Sequence, residues 1–373
     1  MKRLWNKSKK LIIEQSRSLD KGVMYAAFLL LFSGVFLTLA ASPAVAQRNH
    51  FIWTHFIIKH LVFVPVAVCI LLSTALLPIR WARRFCYLVL IGGLIGMLLV
   101  FVGPEVKGAR RWISLFGISI QPSEFVKPAF AVVCGWLLAK GRLIQHTFGR
   151  LIAFCLTGVI CFLLWMQPDF GMTLTILSIF AVEFFLSGIP KWLVGFLVAG
   201  AVGAVGMAFL FLEHVRTRLL NFFNSDDGLP YQVEKSMATL KSAGWFGKGP
   251  GEGVVKYELP DAHTDFIMAV SAEEFGFLIT ACVILTFAFL VWRVTKLIRA
   301  ENSLFCQIAT GGLLTQITFQ ALVNISSTLN LIPTKGMTLP FISYGGSSLV
   351  SVAFAFGLIL SLTHGHTFSR GLE

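Results

Sequence analysis

The sequence predicts an all-α, polytopic membrane protein with about ten spanning helices and one large extracytoplasmic loop. Three observations predict it. Of 373 residues, 56% are hydrophobic and only 13% charged, about half the charged fraction of a soluble domain, and the mean hydropathy is +0.78. The 35 Phe and 9 Trp leave too little polar surface to cover a fold in water. The apolar runs are about 17–25 residues long and do not alternate. That selects helices over a closed barrel, the other structure whose backbone satisfies itself in lipid.

The runs place spans at 23–42, 58–77, 86–103, 123–139, 151–167, 170–188, 192–212, 265–292, 304–327 and 341–363. A basic arm over 1–22 precedes this membrane domain of 23–364, and a tail over 365–373 follows it. Ala44-Val45-Ala46 resembles a signal-peptidase site, but the arm is long and the run after it is of full spanning length, so it is read as the first span. No internal repeat, linker or second soluble domain is evident. None of the seven cysteines forms a C-x-x-C pair, and all lie in or beside apolar runs, where they read as small buried hydrophobes rather than a zinc site or disulfide framework.

An even number of spans puts both termini on one side. With the N-terminus in the cytoplasm, eighteen of the 31 Lys and Arg fall inside and twelve outside, as the positive-inside rule prefers. The net charge of +13 therefore reads as anchorage to anionic headgroups. No basic stripe with base-stacking aromatics lies outside the spans, so no nucleic-acid partner is expected. The outer cations cluster in three loops, and an anionic outer ligand would explain them. The longest outer loop, 213–264, contains Gly244-Trp-Phe-Gly-Lys-Gly-Pro-Gly-Glu-Gly253, too glycine-rich for a regular helix. Its aromatics argue against disorder.

Four constellations carry chemistry. In the first, Lys107, Arg110 and Arg111 precede Gln121-Pro-Ser-Glu124 and Lys127. Ser123 is placed to cap the fourth span. Glu124 and Lys127 share a helix face, either as a structural pair or facing a polar cavity. In the second, Asp169 of Gln167-Pro-Asp-Phe-Gly171 either caps the next helix or meets a ligand or metal. In the third, Pro260-Asp-Ala-His263-Thr-Asp265-Phe266 leads into a helix bearing Glu273 and Glu274, which must face the bundle interior or water. Thr264 or Asp265 could cap that helix, yet a carboxylate at such an apolar edge can also serve as a general base. In the fourth, Asn324–Ser327 is followed by Lys335-Gly336 and by Pro340-Phe-Ile-Ser343-Tyr-Gly345-Gly346-Ser347-Ser348. Its glycines permit an interrupted helix with free N–H groups for a phosphate, or close helix packing. No GxxxxGK[ST] loop is present, so an ATPase is not expected. All four constellations fall on the outer face.

Together, Lys107-Gly-Ala-Arg-Arg-Trp112, Gln121-Pro-Ser-Glu124, Gln167-Pro-Asp169, Asp261-Ala-His-Thr-Asp-Phe266 and Pro340–Ser348 resemble the signature of the SEDS family, which comprises FtsW, RodA and SpoVE. Gln167–Gly171 and Lys335-Gly-Met-Thr-Leu-Pro340 are more similar to the FtsW branch. Two departures are small: Lys-Ser-Ala-Gly-Trp245 where relatives often carry a Gly-Gly pair, and Met268 where Phe is usual. The resemblance implies a peptidoglycan glycosyltransferase that polymerises lipid II outside the bacterial cytoplasmic membrane during septal wall synthesis. It implies as partners lipid II, the nascent glycan, a class B penicillin-binding protein transpeptidase of the FtsI type and other divisome membrane proteins. Asp265 matches the family's essential loop aspartate, as general base or as holder of a divalent cation, Mg or Mn. Lys107, Arg110, Arg111, Glu124, Lys127, Asp169, Lys248, His263, Lys335, Ser343, Gly345, Gly346 and Ser347 are the expected substrate contacts. A lipid II flippase would need a polar path through mid-span, where acids are few (Glu183, Glu273, Glu274). A RodA-like elongation polymerase is the other alternative.

Overall fold

The computed structural model describes residues 19–103, 105, 109–115, 118–143, 147–188, 231–333 and 336–363, with single positions between 203 and 216. Nine of the ten expected spans are helices among these residues: α1 (Lys21–Arg48), α2 (His55–Ala75), α3 (Ile79–Leu99), α4 (Pro122–Leu143), α5 (Thr147–Met166), α6 (Phe170–Leu186), α8 (Ile267–Ala300), α9 (Leu304–Thr328) and α10 (Gly346–Leu362). The expected span 192–212 lies almost wholly outside the described residues, as do the basic arm up to residue 18 and the tail from 364.

Three features were not expected. A short helix, α7 (Tyr231–Lys241), stands within the outer loop. It packs on α8, and Ser236 Oγ donates to the carbonyl of Thr328 at 3.0 Å. A two-stranded antiparallel hairpin pairs β1 (Ile113–Leu115) with β2 (Ile118–Ile120), Ile113 opposite Ile120. The alternating Ile-Ser-Leu and Ile-Ser-Ile fit that pairing. Third, Arg80, Arg83 and Arg84 lie in the first turns of α3, and Arg293, Lys296 and Arg299 in the last turns of α8, not in connectors. Cations near a helix C-terminus suit its dipole, and long basic side chains reach the interface from inside a span. Arg83 and Lys140 both stand over the Trp136 ring at 5.1 Å, in the manner of an aromatic belt.

Six of the helices are long and apolar enough to cross a membrane by length and composition. Helix α4 carries Glu124, Lys127, Lys140 and Arg142, yet it is almost entirely buried. Glu124 and Lys127 therefore face protein, where ionisable groups in a membrane are tolerated, while Lys140 and Arg142 are exposed at the far end of the helix. Helices α6 and α10, 17 residues each, are at the lower limit for spanning. In α10 every residue from Ser347 to Leu362 is buried. An apolar helix without a polar face belongs at a bundle centre, and α10 packs there against α2, α9 and α4. Outward-facing Phe32, Leu88, Ile95, Phe162 and Trp292 are exposed, as lipid contact requires.

At the opposite end of the bundle from the polar loops, Asp20 caps α1 by accepting from Val23 N at 3.0 Å and holds Arg293 of α8 through bonds of 2.6–3.1 Å. Burial pushes the Asp20 carboxyl up, but Arg293 and the backbone N–H groups outweigh it and hold the carboxyl below its usual value. A depressed carboxylate adds stability that is present above its unfolded pKa, about 3.9, and is lost as pH falls through the folded value. Asn at position 20 can still cap but carries no charge. The parent protein should therefore melt above Asp20→Asn at pH 7, and the two curves should approach each other as pH falls below about 3.9 and meet only below the lowered folded value. Equal melting temperatures at pH 7 would show that the pair contributes nothing.

Candidate functional site

The site is organised by a break in α8. Gly276 has φ 81° and ψ 176°, outside helical geometry. An uninterrupted helix would bond Phe277 N to Glu273 O and Leu278 N to Glu274 O. The glycine-rich loop occupies that gap. Lys248 N and Gly249 N donate to the carbonyls of Glu273 and Glu274 at 2.8 and 3.0 Å, and Phe277 N and Leu278 N donate to the carbonyls of Gly244 and Trp245 at 3.1 and 3.3 Å. Two helical bonds are replaced by four loop bonds. The crossing requires glycine on both sides: a Cβ on Gly276 would lie 2.4 Å from Gly247 N, and Gly247 itself has φ 73°.

The side chains of Glu273 and Glu274, both fully buried, fix the same loop. Glu273 accepts from the consecutive N–H groups of Val254, Val255 and Lys256 at 2.9–3.1 Å and from Lys248 Nζ at 2.9 Å. Successive N–H groups of this kind form an anion nest. Glu274 accepts from Gly251 N at 3.0 Å and pairs with Lys256 Nζ, which also donates to Ala40 O of α1 at 3.1 Å. Lys248, expected at the substrate, thus directs its charge to Glu273. The sequence reading missed Lys256 as a functional residue; no spacing rule links it to an acid 18 positions later.

Beyond this anchor the chain turns at Asp261, whose carbonyl accepts from Thr264 N and Asp265 N at 3.0 and 3.1 Å. Helix α8 begins at Ile267 after Phe266, whose side chain provides no cap, and Thr264 Oγ1 donates back to the Asp261 carbonyl at 3.1 Å. Asp265 is half-buried. Asn324 of α9 donates through Nδ2 to Asp265 O at 2.9 Å and to Met337 O at 2.7 Å. A Cβ built on Gly336 would stand 3.3 Å from Asp265 Oδ2, so a side chain there would press on the carboxylate. Ser343 Oγ donates to Thr264 O and accepts from Leu339 N at 2.8 Å. Tyr344 N donates to His263 O at 2.9 Å. The buried His263 ring packs against Phe56 and Tyr344, with centroids 4.7 and 5.0 Å away, and burial pushes the Tyr344 phenol up.

The sequence reading placed the last span from 341. The segment Pro340–Ser343 is instead a turn, with Phe341 at φ 64°, and α10 begins at Gly346. Gly345, Gly346 and Ser347 form that beginning, and Ser348 Oγ meets Thr338 Oγ1 at 2.7 Å. The segment from Gly336 to Thr338 therefore has Asp265 beside one end and the start of α10 beside the other.

The Asp169 turn adjoins this group: a Cβ on Gly171 would lie 3.2 Å from Met337 Cγ. Asp169 caps α6 by accepting from Met172 N at 3.2 Å, and it meets Gln121 Nε2 at 3.3 Å and Arg111 at 3.6 Å. Arg111 also donates to Gln167 O at 2.9 Å and to Pro168 O. Arg110 is exposed, 3.9 Å from Glu105. Ser123 does not cap α4, which starts at Pro122; its Oγ is buried without a partner. Glu124 and Lys127 pair at 2.8 Å inside the bundle, and Ser351 Oγ ties α10 to Glu124 O at 2.6 Å. Lys107 and Lys335 lie outside the described residues. Among the described residues no three His, Cys, Asp or Glu side chains converge. The donor set fits a cation held by one carboxylate and completed by phosphate oxygens and water, a usual arrangement for Mg²⁺, and does not fit a protein cage.

A family model for cell cycle proteins of the FtsW, RodA and SpoVE type matches residues 21–367. The chain belongs to this family. Among curated relatives in it, the "Probable peptidoglycan glycosyltransferase FtsW" of Caulobacter vibrioides is 39% identical over 92% of this chain and 88% of its own. That of Aliivibrio salmonicida is 31% identical over 92% and 89%. Of solved structures, a chain from work on "structural coordination of polymerization and crosslinking by a peptidoglycan synthase complex" superposes with a TM-score of 0.77 at 26% identity, covering 92% of this chain and 97% of that one. The rod shape determining protein RodA of Thermus thermophilus gives 0.64 at 26% identity, covering 93% and 96%. The family fold is thus that of a multi-pass membrane protein.

Replacing Gly276 by Ala should destabilise the protein by more than the about 1–3 kcal/mol that positive φ alone costs, because the new Cβ also collides with loop backbone. Gly251→Ala is the control, with φ 87° but nothing within 4 Å of a Cβ. Thermal melting and limited proteolysis of the 244–259 loop should rank Gly276→Ala as clearly worse. Indistinguishable variants would contradict the loop-repaired break.

Proposed function

We propose that this chain is a peptidoglycan glycosyltransferase that polymerises lipid II at the outer face of the bacterial cytoplasmic membrane, in septal wall synthesis. The observation that carries this reading is the half-buried Asp265. Its main chain is fixed by Asn324 and the Asp261 turn, and its carboxylate lies beside Gly336, where a Cβ would stand 3.3 Å from Oδ2. The names of the curated relatives and the family membership support it.

Asp265 takes the proton from the C4 hydroxyl of the acceptor sugar as that oxygen attacks the anomeric carbon of the lipid-linked chain. The new glycosidic bond forms as the bond to pyrophosphate breaks. The donor is α-linked and the product β-linked, so one inversion suffices. Pyrophosphate leaves as an anion once neutralised, so no second carboxylic acid is needed, unlike glycoside hydrolysis. Arg110, on the exposed outer surface, is suited to that neutralisation, as are Lys107 and Lys335 by their place in the sequence. Asp265 is also the residue that would hold Mg²⁺ or Mn²⁺, which when bound would offset phosphate charge.

The partner expected is a class B penicillin-binding protein transpeptidase, alongside other divisome membrane proteins. The peptidoglycan synthase complex among the similar structures supports such an assembly. In this reading both termini lie in the cytoplasm.

Two measurements test this. Purified Asp265→Asn, supplied with lipid II and the transpeptidase, should lose glycan synthesis by at least about 10²-fold, the scale of a general base, while still inserting in membranes and binding its partner. Near-normal polymer would sink the assignment. Separately, single cysteines at Glu252 and Ser303 in a Cys-depleted protein should report topology to an impermeant maleimide in intact spheroplasts. Position 252 should label and 303 should not. The reverse pattern would put Asp265 out of reach of the growing wall.

A further inference from the structure

The tip of the glycine-rich loop carries two aromatic side chains that the proposed chemistry does not use. Trp245 and Phe246 stand between Gly244 and Gly247, whose φ angles of 66° and 73° turn the chain tightly on either side. Trp245 is 67% exposed and Phe246 81%. The exposed Phe277 of α8 extends the patch: its ring meets that of Trp245 edge-on, with centroids 5.6 Å apart. A contiguous exposed apolar patch of this kind marks a surface that something apolar covers.

The depth of the tip follows from its bonds to α8. Phe277 N and Leu278 N donate to the carbonyls of Gly244 and Trp245 at 3.1 and 3.3 Å. Beyond the break at Gly276, α8 has two faces. Thr280, Val283 and Phe287 are buried in the bundle, whereas Leu278, Leu285 and Trp292 are exposed. In a spanning helix the exposed apolar stripe is the one that meets lipid. The opposite end of that stripe is marked by Arg293, which follows Trp292 and pairs with Asp20. From Arg293 up to Phe277 the helix rises about 24 Å, and the hydrocarbon core is about 30 Å thick. With Arg293 at one boundary, Phe277 lies inside the other, and tilt of the helix takes it deeper. The tip is bonded at that level and is continuous with the lipid-facing stripe. Trp suits such a boundary, because its ring is apolar and its N–H can reach headgroup oxygens.

We propose that Trp245 and Phe246 insert into the outer leaflet, so that the glycine-rich loop is an anchor to the bilayer as well as the segment that closes the break in α8. Phospholipid acyl chains near the headgroups cover the two rings. The stretch that runs from this loop to Asp265 is thereby held at a set depth. The proposal does not depend on the glycosyltransferase reading.

The test uses the full-length chain in nanodiscs of phosphatidylethanolamine and phosphatidylglycerol, one copy per disc, with and without the transpeptidase. A nitroxide is attached at Phe246→Cys in a Cys-depleted protein. Leu285→Cys on the lipid-facing stripe and Glu252→Cys on the exposed loop surface are the references. Collisions are measured with oxygen, which concentrates in hydrocarbon, and with a water-soluble nickel chelate. The oxygen-to-nickel ratio at 246 should exceed that at 252 severalfold and approach that at 285. A ratio like that at 252 puts the tip in water and overturns the proposal. Low access to both reagents puts the tip against protein and also overturns it, whether this occurs in the chain alone or only with the transpeptidase bound. A second measurement keeps the native cysteines. Tryptophan emission of the parent and of Trp245→Phe is compared in discs whose lipid is brominated near the headgroup end of the acyl chains. The difference between the two is the emission of Trp245, and bromine should quench it. An unquenched difference overturns the proposal even where the cysteine variants fail to fold.

Discussion

A membrane helix cannot leave its backbone unsatisfied, and α8 breaks at Gly276. Each buried N–H or C=O left open there would cost about 1–3 kcal/mol. The loop from Gly244 to Lys256 supplies all four partners, so the loop and the helix can exist only together. Glu273 and Glu274 reinforce the joint. Two buried carboxylates without compensation would be prohibitive, but two lysines and four backbone N–H groups surround them. The outer loop is thereby part of the bundle, and the segment that leaves it towards Asp265 starts from a fixed point.

From that point the site is held chiefly through main-chain bonds. Asn324 joins α9 to both Asp265 and Met337, and Ser343 joins Thr264 to Leu339. Each is one side chain linking two segments far apart in sequence. These bonds fix the Asp265 backbone. Preorganisation of this kind is what proton transfer at a defined oxygen requires. The Asp169 turn closes the same group from the other side through Gly171 and Met337.

The described cations of these loops are drawn to protein groups. Arg111, Lys248 and Lys256 direct their charge to protein groups: the Asp169 turn and the two acids of α8. Arg110, which is exposed, lies 3.9 Å from Glu105 and donates to Phe101 O at 3.0 Å. The local sequence does not separate these roles, because an internal partner and a bound phosphate ask for the same residue type.

The sequence by itself determined the solvent, the helical class and most span positions. Apolar runs of spanning length have no other solution in lipid, which is why α2, α5, α6 and α9 fall within a few residues of expectation. It also marked Asp265, His263 and the Gly345–Ser348 run, because polar motifs at the ends of apolar runs stand out against their surroundings. Helix ends were legible only where a residue type enforces them: Asp169 caps α6, whereas α3 and α8 extend through basic residues that a hydropathy reading assigns to connectors. Only the tertiary structure decided which charges meet. Lys256 and Glu274, Asn324 and Asp265, and Trp245 and Phe277 are brought together by packing between distant segments. No periodicity encodes such pairs, since the period of a helix fixes which face a residue occupies and not what that face meets.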